Sequence, residues 1–280
     1  MLGKKRIVYS RDKEIILGDK TLVMGILNVT PDSFSDGGRF NSIETAVKHA
    51  GMMIDEGADI IDIGGESTRP GSKEVAEQEE LDRVVPIIKA IREKYDVLIS
   101  IDTYKAKVAD AALLAGADII NDVWGMQKEP EIAEVAVRHN VPLIAMHNQI
   151  GTDYTEDILL AMKKFFEKSY EIAFEKGLKR SQIILDPGIG FGKTPEQNVV
   201  VMKRLGEMMA WGEPVLLGTS RKSMIGKILD LPADQRLEGT LATNMYGISL
   251  GVDIIRIHDV EAHVRGAKVM DAIMRGRIDG

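Results

Sequence analysis

Eight short apolar runs punctuate the chain, and each ends on polar or charged residues. Residues 22–27 end at Asn28. Residues 60–63 pass through Gly64 and Gly65 to Glu66. Residues 97–101 end at Asp102, and Ile119 and Ile120 meet Asn121 and Asp122. Residues 143–146 end at His147 and Asn148, and residues 183–185 at Asp186. Residues 215–217 lead through Gly218 to Arg221 and Lys222. Residues 254–257 carry Arg256 and end at His258. Short apolar runs alternating with helical spacing predict an α/β protein, a TIM-type (β/α)8 barrel. In that fold the functional groups gather where the strands end.

Residues 7–9 and 14–17 flank Ser10-Arg11-Asp12-Lys13 and predict a short N-terminal β-hairpin that could close the barrel's other end. The stretch Gly57-Ala58-Asp59-Ile60-Ile61-Asp62 recurs as Gly116-Ala117-Asp118-Ile119-Ile120-Asn121 and as Gly251-Val252-Asp253-Ile254-Ile255-Arg256. Each glycine falls where a helix needs a left-handed C-cap before a strand. Helical spacing runs from Ser42, a candidate N-cap, through Ile54, then over residues 106–114 and 157–176. Pro195 suits a first helical turn, and a closing amphipathic helix covers Val264 to Met274. Pro86 predicts a kink or a break within residues 78–95. Residues 30–41 and 67–74 are too polar and Gly/Pro-rich for barrel walls, so they are read as loops at the catalytic end, where long loops often act as lids.

A length of 280 residues suits one barrel. No linker or composition shift divides the chain, so a single domain over residues 1–280 is expected. An apolar share of 44% supplies a core. A net charge of −7 with no basic block argues against nucleic acid as a partner. The chain has no cysteine, which removes thiolate chemistry and Cys-based zinc sites and fits a reducing compartment. Residues 1–13 are charged and no run reaches membrane-span length, so no membrane association and a cytoplasmic location are expected.

Gly192-Lys193-Thr194 looks like the end of a phosphate-binding P-loop, but Pro187 stands where that motif needs glycine, and Pro195 delays the helix. The glycines of residues 188–192 instead suit a backbone passing close to a flat ligand, with Phe191 as one wall. Asp102, Asn121 and Asp186 offer two carboxylates and an amide at one barrel end. That set suits several N–H donors in one plane, as on a 2-amino-4-oxo heterocycle. Bonds to charged groups are worth roughly 1.5–3 kcal/mol each. Taken singly, an aspartate at a strand end is more often a helix cap or a local ion pair; the convergence of three residues favours a ligand. Asn28, Arg256 and His258 lie on the first and eighth strands, neighbours in a closed barrel, and form a candidate anion pocket in which Asn28 could also ligate a metal. Arg256 interrupts an apolar strand, and a buried arginine is costly without a partner. Residues 220–223 supply a basic, hydroxyl-bearing turn. His49, His139 and His263 read as structural, and no zinc-type histidine spacing occurs.

These motifs together resemble those of the dihydropteroate synthases. Residues 24–38, from Met24-Gly25-Ile26-Leu27-Asn28 to Asp36-Gly37-Gly38, are similar to the family's first signature, and Asp62-Ile63-Gly64-Gly65-Glu66-Ser67-Thr68-Arg69-Pro70-Gly71 to its second. Residues 100–103, 120–122, 185–193, 218–223 and 256–260 match further motifs, so the resemblance covers nearly the whole chain. It implies 6-hydroxymethyl-7,8-dihydropterin pyrophosphate and p-aminobenzoate as substrates, with Mg2+. It implies that Asp102, Asn121, Asp186 and Lys222 hold the pterin, with Met146, Phe191 and Gly218 lining its pocket and Arg256 stacking on it. Asn28, Arg256 and His258 would take the pyrophosphate, with magnesium near Asn28. Phe34, Thr68, Pro70 and Ser223 would form the p-aminobenzoate site, with Asp36 and Arg69 in closing loops. Asp102, Lys222, Asp36 and Arg69 are the residues expected to matter most for catalysis, in an SN1-like reaction. A homodimer through late helices is also implied. A pterin-binding methyltransferase barrel should lack Lys222-Ser223 and the Thr68-Arg69-Pro70 loop. A silent pterin-binding paralogue should lack anion or loop residues that are present here.

Overall fold

Alternation within the apolar runs becomes architecture. The computed structural model describes residues 5–29, 38–66 and 74–276, with residues 38–42 described by their backbone alone. Strands β1 (Arg6–Ser10) and β2 (Lys13–Leu17) form the expected antiparallel hairpin, with Val8 opposite Ile15. There follow β3 (Leu22–Asn28), α1 (Gly38–Asp55), β4 (Ile60–Gly64), α2 (Glu77–Lys94), β5 (Leu98–Asp102), α3 (Ala106–Ala115) and β6 (Ile119–Asp122). Next come α4 (Glu131–His139), β7 (Leu143–Met146), α5 (Ile158–Glu175), β8 (Ile183–Asp186), α6 (Pro195–Lys203) and α7 (Leu205–Met209). The last are β9 (Leu216–Leu217), α8 (Ser223–Leu229), α9 (Leu237–Leu250), β10 (Ile254–Ile257) and α10 (Val260–Arg275).

Strands β3 to β10 are parallel. Each of β3 to β7 pairs with the next, and β10 lies between β3 and β9. A parallel bridge between Leu185 and Val215 brings the β8 and β9 sides together, and the Leu185 N–H donates to the Pro214 carbonyl at 2.9 Å. The protein is therefore the α/β barrel that the eight runs predict.

Successive strand side chains point to opposite faces. Ile61, Ile63, Ile99 and Ile101 face outward into the core beneath the helices. Leu22, Met24, Ile60, Ile119, Ile144, Ile184, Leu216 and Ile254 form a separate inner cluster with Val8, Ile15 and Leu17 of the hairpin. The hairpin thus plugs the end at which the strands begin. The Ser10 hydroxyl fixes it by donating to the Asp118 carbonyl at 2.6 Å, as does the Arg11 N–H bonded to the Asn140 carbonyl at 2.8 Å.

Gly57, Gly116 and Gly251 have φ of 101°, 118° and 99°, so the sequence echo marks three left-handed helix exits. Pro195 opens α6 inside a capping box made by Thr194 and Gln197. Of the two alternatives at Pro86 the break is excluded, and one further expectation is corrected. The α2 helix runs unbroken through Pro86. Pro86 has no N–H to offer the residue one turn earlier, Asp82, which lies on the exposed face, while Val84, Ile87 and Ile88 hold the helix to the core. Helix α1 begins at Gly38, inside the segment read as loop, so Ser42 is not its N-cap. No helix among the described residues is long and apolar enough to cross a membrane.

Candidate active site

Inward positions change character along each strand. Above Ile60 stands Asp62; above Leu98, Ser100 and then Asp102; above Ile119, Asn121; above Ile184, Asp186; above Ile254, Arg256. Pairing aligns Asn28, Gly64, Asp102 and Asn121 in one row across four strands. Met146 and Asp186 are partners across β7 and β8. Gly64 sits between its row neighbours: a Cβ there would stand 3.5 Å from the Asp102 Cβ and 3.8 Å from Asn28 Oδ1, in van der Waals contact with both.

Arg256 ties this layer together. Its Nε donates to Asp62 Oδ2 at 2.6 Å and its NH2 to Asp102 Oδ2 at 2.6 Å. Asp62 is fully buried and also accepts from Asn121 Nδ2 at 3.2 Å. That bond turns the Asn121 amide oxygen away from Asp62. Asp62 Oδ1 and Asp102 Oδ1 are buried and have no hydrogen-bond partner among the described residues. Such oxygens are acceptors awaiting N–H groups. Burial pushes the Asp102 carboxyl up to about 7, against the pull of Arg256 and with the help of Asp62. Burial opposes the Arg256 charge, but Asp62, Asp102 and Asp186 outweigh it and raise its pKa.

Asp186 accepts the Gly188 N–H at 2.7 Å, and burial raises its pKa while Gly188, Lys222 and Arg256 oppose the rise. A Cβ on Gly218 would lie 3.9 Å from both Asp186 Oδ2 and the Arg256 Cβ, which places position 218 between these two groups. Lys222 precedes α8 and sets its Nζ 4.0 Å from the centre of the Phe191 ring. Burial lowers its pKa to about 7, with Asp186 resisting. Met146, Tyr104 and Val123 make an apolar wall against which Trp124 and Phe191 pack. One side of the mouth is therefore flat and apolar, and the other is lined with oxygens.

The anion candidates lie on adjacent strands, since β10 pairs with β3. His258 Nδ1 is 2.9 Å from the Ser220 hydroxyl, which also accepts the His258 backbone N–H at 3.2 Å. Asn28 is exposed at the rim, and Ser223 is exposed at the first turn of α8. Phe34, Asp36, Thr68, Arg69 and Pro70 lie outside the described residues. Among the described residues no group of three His, Asp or Glu side chains could hold a metal ion. The Asn28 carboxamide oxygen fits magnesium only in the mode where substrate phosphates and water supply most ligands.

Asp62 and the pair His147–Lys193 are additions to the sequence-predicted set. A carboxylate inside the run Ile60-Ile61-Asp62-Ile63 carries the same signal as Arg256 in its own strand. Lys193 is buried and donates to the Gly188 and Phe191 carbonyls at 3.0 Å each, so it serves the loop from within, unlike a P-loop lysine.

Residues 24–258 match the family model described as pterin binding enzyme. A dihydropteroate synthase from Clostridium beijerinckii is 56% identical over 94% of this chain and 98% of its own. The crystal structure of a dihydropteroate synthase from Clostridium difficile, determined in the presence of pteroic acid, is 53% identical. It superposes with a TM-score of 0.91 and covers 92% of this chain and 98% of its own. A Xanthomonas albilineans dihydropteroate synthase with 4-aminobenzoic acid is 36% identical, with a TM-score of 0.91 over 96% of this chain and 98% of its own.

Proposed function

This chain belongs to the pterin-binding enzyme family, among its dihydropteroate synthases, and from that premise we propose how its barrel mouth performs the reaction. The activity is a transferase step of folate biosynthesis: 6-hydroxymethyl-7,8-dihydropterin pyrophosphate and p-aminobenzoate give 7,8-dihydropteroate and pyrophosphate.

One observation carries the reading of the pocket. Buried acceptor oxygens of Asp102, Asn121 and Asp186 face the same mouth as the apolar wall of Met146 and Phe191. An aminopyrimidinone edge supplies the N–H groups and a flat ring fits the wall. Lys222 and Arg256 complete the pterin site, with Gly218 giving the ring room. Asn28, Arg256 and His258 take the pyrophosphate; Asn28, together with the phosphates, would hold Mg2+, which would supply charge neutralisation there. Ser223 is assigned to p-aminobenzoate, together with Phe34, Thr68 and Pro70, on the motif match; Asp36 and Arg69 are assigned to the covering loops on the same ground.

No covalent nucleophile or strong base is required, because the aryl amine is itself nucleophilic. The C–O bond to pyrophosphate breaks first, in an SN1-like step. Arg256 and His258 stabilise the charge that develops on the leaving oxygens, while Asp102 and Asp186 stabilise the pterin cation. The amine then forms the new C–N bond and loses a proton to water or to the departing pyrophosphate. A cation beside Asp102 favours its carboxylate form against the effect of burial.

Product formation with Mg2+ tests the reading. The native enzyme is expected to turn over, and Lys222→Ala and Asp186→Ala to lose about 100-fold or more in kcat/KM. Pterin binding without turnover in the native chain would favour a silent pterin-binding protein. Positional isotope exchange in the pyrophosphate, with an unreactive amine analogue bound, tests the order of steps; no exchange under those conditions counts against departure first.

A homodimer through the late helices belongs to the same proposal. Val269 and Ile273 are one turn apart on α10 and 60% and 69% exposed, and Tyr246 of α9 is also exposed. Light scattering at micromolar concentration should give twice the chain mass. A cytoplasmic location is proposed with it, consistent with the cysteine-free sequence.

A further inference from the structure

Lys193 is a buried lysine for which the reaction has no use, its pKa lowered by burial to about 7. Its Nζ lies 2.8 Å from His147 Nδ1, 3.0 Å from the Gly188 carbonyl and 3.0 Å from the Phe191 carbonyl. In its protonated form the amine has three N–H donors, and three acceptors surround it. His147 is held neutral: burial and the adjacent ammonium lower its pKa to about 2. Opposite the protonated amine, which has no lone pair, its Nδ1 is the acceptor. His147 is itself set against Phe165, ring edge to face, with centroids 4.8 Å apart.

The segment wound around this ammonium is the wall of the pterin pocket. Gly188, Gly190 and Gly192 have φ of 65°, 85° and 55°. Their left-handed turns aim the carbonyls of Gly188 and Phe191 inward at Lys193. The Gly188 N–H meanwhile meets Asp186, and the Gly190 N–H donates to Asn198 Oδ1 at 2.8 Å. A side chain at Gly188 has no room, because its Cβ would stand 1.9 Å from the His147 carbonyl oxygen. One at Gly190 would strike the Lys222 side chain at 2.7 Å. Asp186, Phe191 and Lys222 are thus all set by one loop, and that loop is pinned at its centre. An uncharged side chain of the same length would fill the space but take the lysine donor from both carbonyls, leaving Gly188 with the Phe191 N–H as its one remaining donor at 3.1 Å.

We propose that Lys193, with neutral His147 behind it, is a positioning residue for the pterin. It shapes the Gly188–Phe191 wall and the orientation of Asp186 without touching the substrate. The inference rests on the pterin pocket proposed for this site.

Lys193→Met keeps the length of the side chain and removes its donors. The KM for the pterin pyrophosphate, and the Kd for 6-hydroxymethylpterin by calorimetry, should each rise about tenfold or more. The KM for p-aminobenzoate should move by less than about threefold. His147→Leu removes one acceptor and should shift the same two constants in the same direction by a smaller factor; it carries the test if Lys193→Met does not fold. Ile88→Ala, a core cut in α2, serves as the control that lowers the melting temperature without moving either constant. A folded Lys193→Met or His147→Leu enzyme with lowered melting temperature and native pterin constants overturns the proposal. A native enzyme that does not bind 6-hydroxymethylpterin overturns the pocket assignment instead.

Discussion

The two ends of the barrel are made from the same strands and hold opposite chemistry. Where the strands begin, Met24, Ile60, Ile119, Ile144, Ile184 and Ile254 meet the hairpin's Val8, Ile15 and Leu17 in a sealed apolar plug. Two to four residues later, the same inward positions carry Asp62, Asp102, Asn121, Asp186 and Arg256. The first end gains free energy chiefly from apolar burial, with hydrogen bonds such as that from Ser10 to the Asp118 carbonyl fixing the hairpin. The second holds buried carboxylates and a guanidinium whose desolvation is only partly offset by their pairing. Stability is concentrated at one end and reactivity at the other, so a substitution's effect should depend on which end it enters.

The largest separation should come from Arg256→Ala. It leaves Asp62 and Asp102 buried without their cation and removes the group that faces the leaving charge. A loss of about 1000-fold or more in kcat/KM is expected, with a fall of roughly 3–5 kcal/mol in stability, read by steady-state kinetics and urea melts. At the other end, Leu17→Ala cuts a fully buried side chain from the plug. It should cost about 2–5 kcal/mol by urea melt while kcat per folded molecule stays within about twofold. A large kcat loss in that variant would break the division between the ends.

Titration sharpens the contrast, because among the described residues the lysines with strongly lowered pKa, Lys193 and Lys222, lie at the open end. Burial lowers the Lys222 pKa from 10.5 to about 7. Between those values the unfolded chain holds a proton that the native site has released. The contribution to stability is therefore full above pH 10.5 and is lost as pH falls through about 7. Lys222→Met should flatten the rise in stability from neutral to alkaline pH without abolishing it, because Lys193, also lowered to about 7, contributes in the same direction. Urea melts across that range provide the measurement. The smallest effect belongs to Ser10→Ala, which removes the hydroxyl bond to the Asp118 carbonyl and should cost about 1 kcal/mol by the same melts with unchanged kcat/KM.

Much of this division is readable from the chain. The β-branched runs, the three capping glycines and the polar residue after each run give the barrel and the direction of its mouth. Local signals failed where tertiary context overrode them. Pro86 stays helical because packing around Val84, Ile87 and Ile88 outweighs one lost hydrogen bond. Ser42 has the chemistry of a cap, but the helix starts earlier. Helix α9 was not foreseen: Gly239, Gly247 and apolar residues on several sides leave no clear stripe in Leu237–Leu250. Asp62 was visible only as part of a motif. Its role as the acceptor shared by Arg256 and Asn121 depends on register between strands 194 residues apart in sequence. The bond from Lys193 to His147 spans 46 residues, and no local pattern announces it.

The glycine loop that lines the mouth also limits how this protein can diverge. At position 188 a methyl would collide with the His147 main chain, and at 192 with that of Gln149. Both collisions are with backbone, which cannot swing aside as a rotamer does. Drift in affinity among natural or selected sequences should therefore accumulate elsewhere around the opening, since these two places admit hydrogen alone.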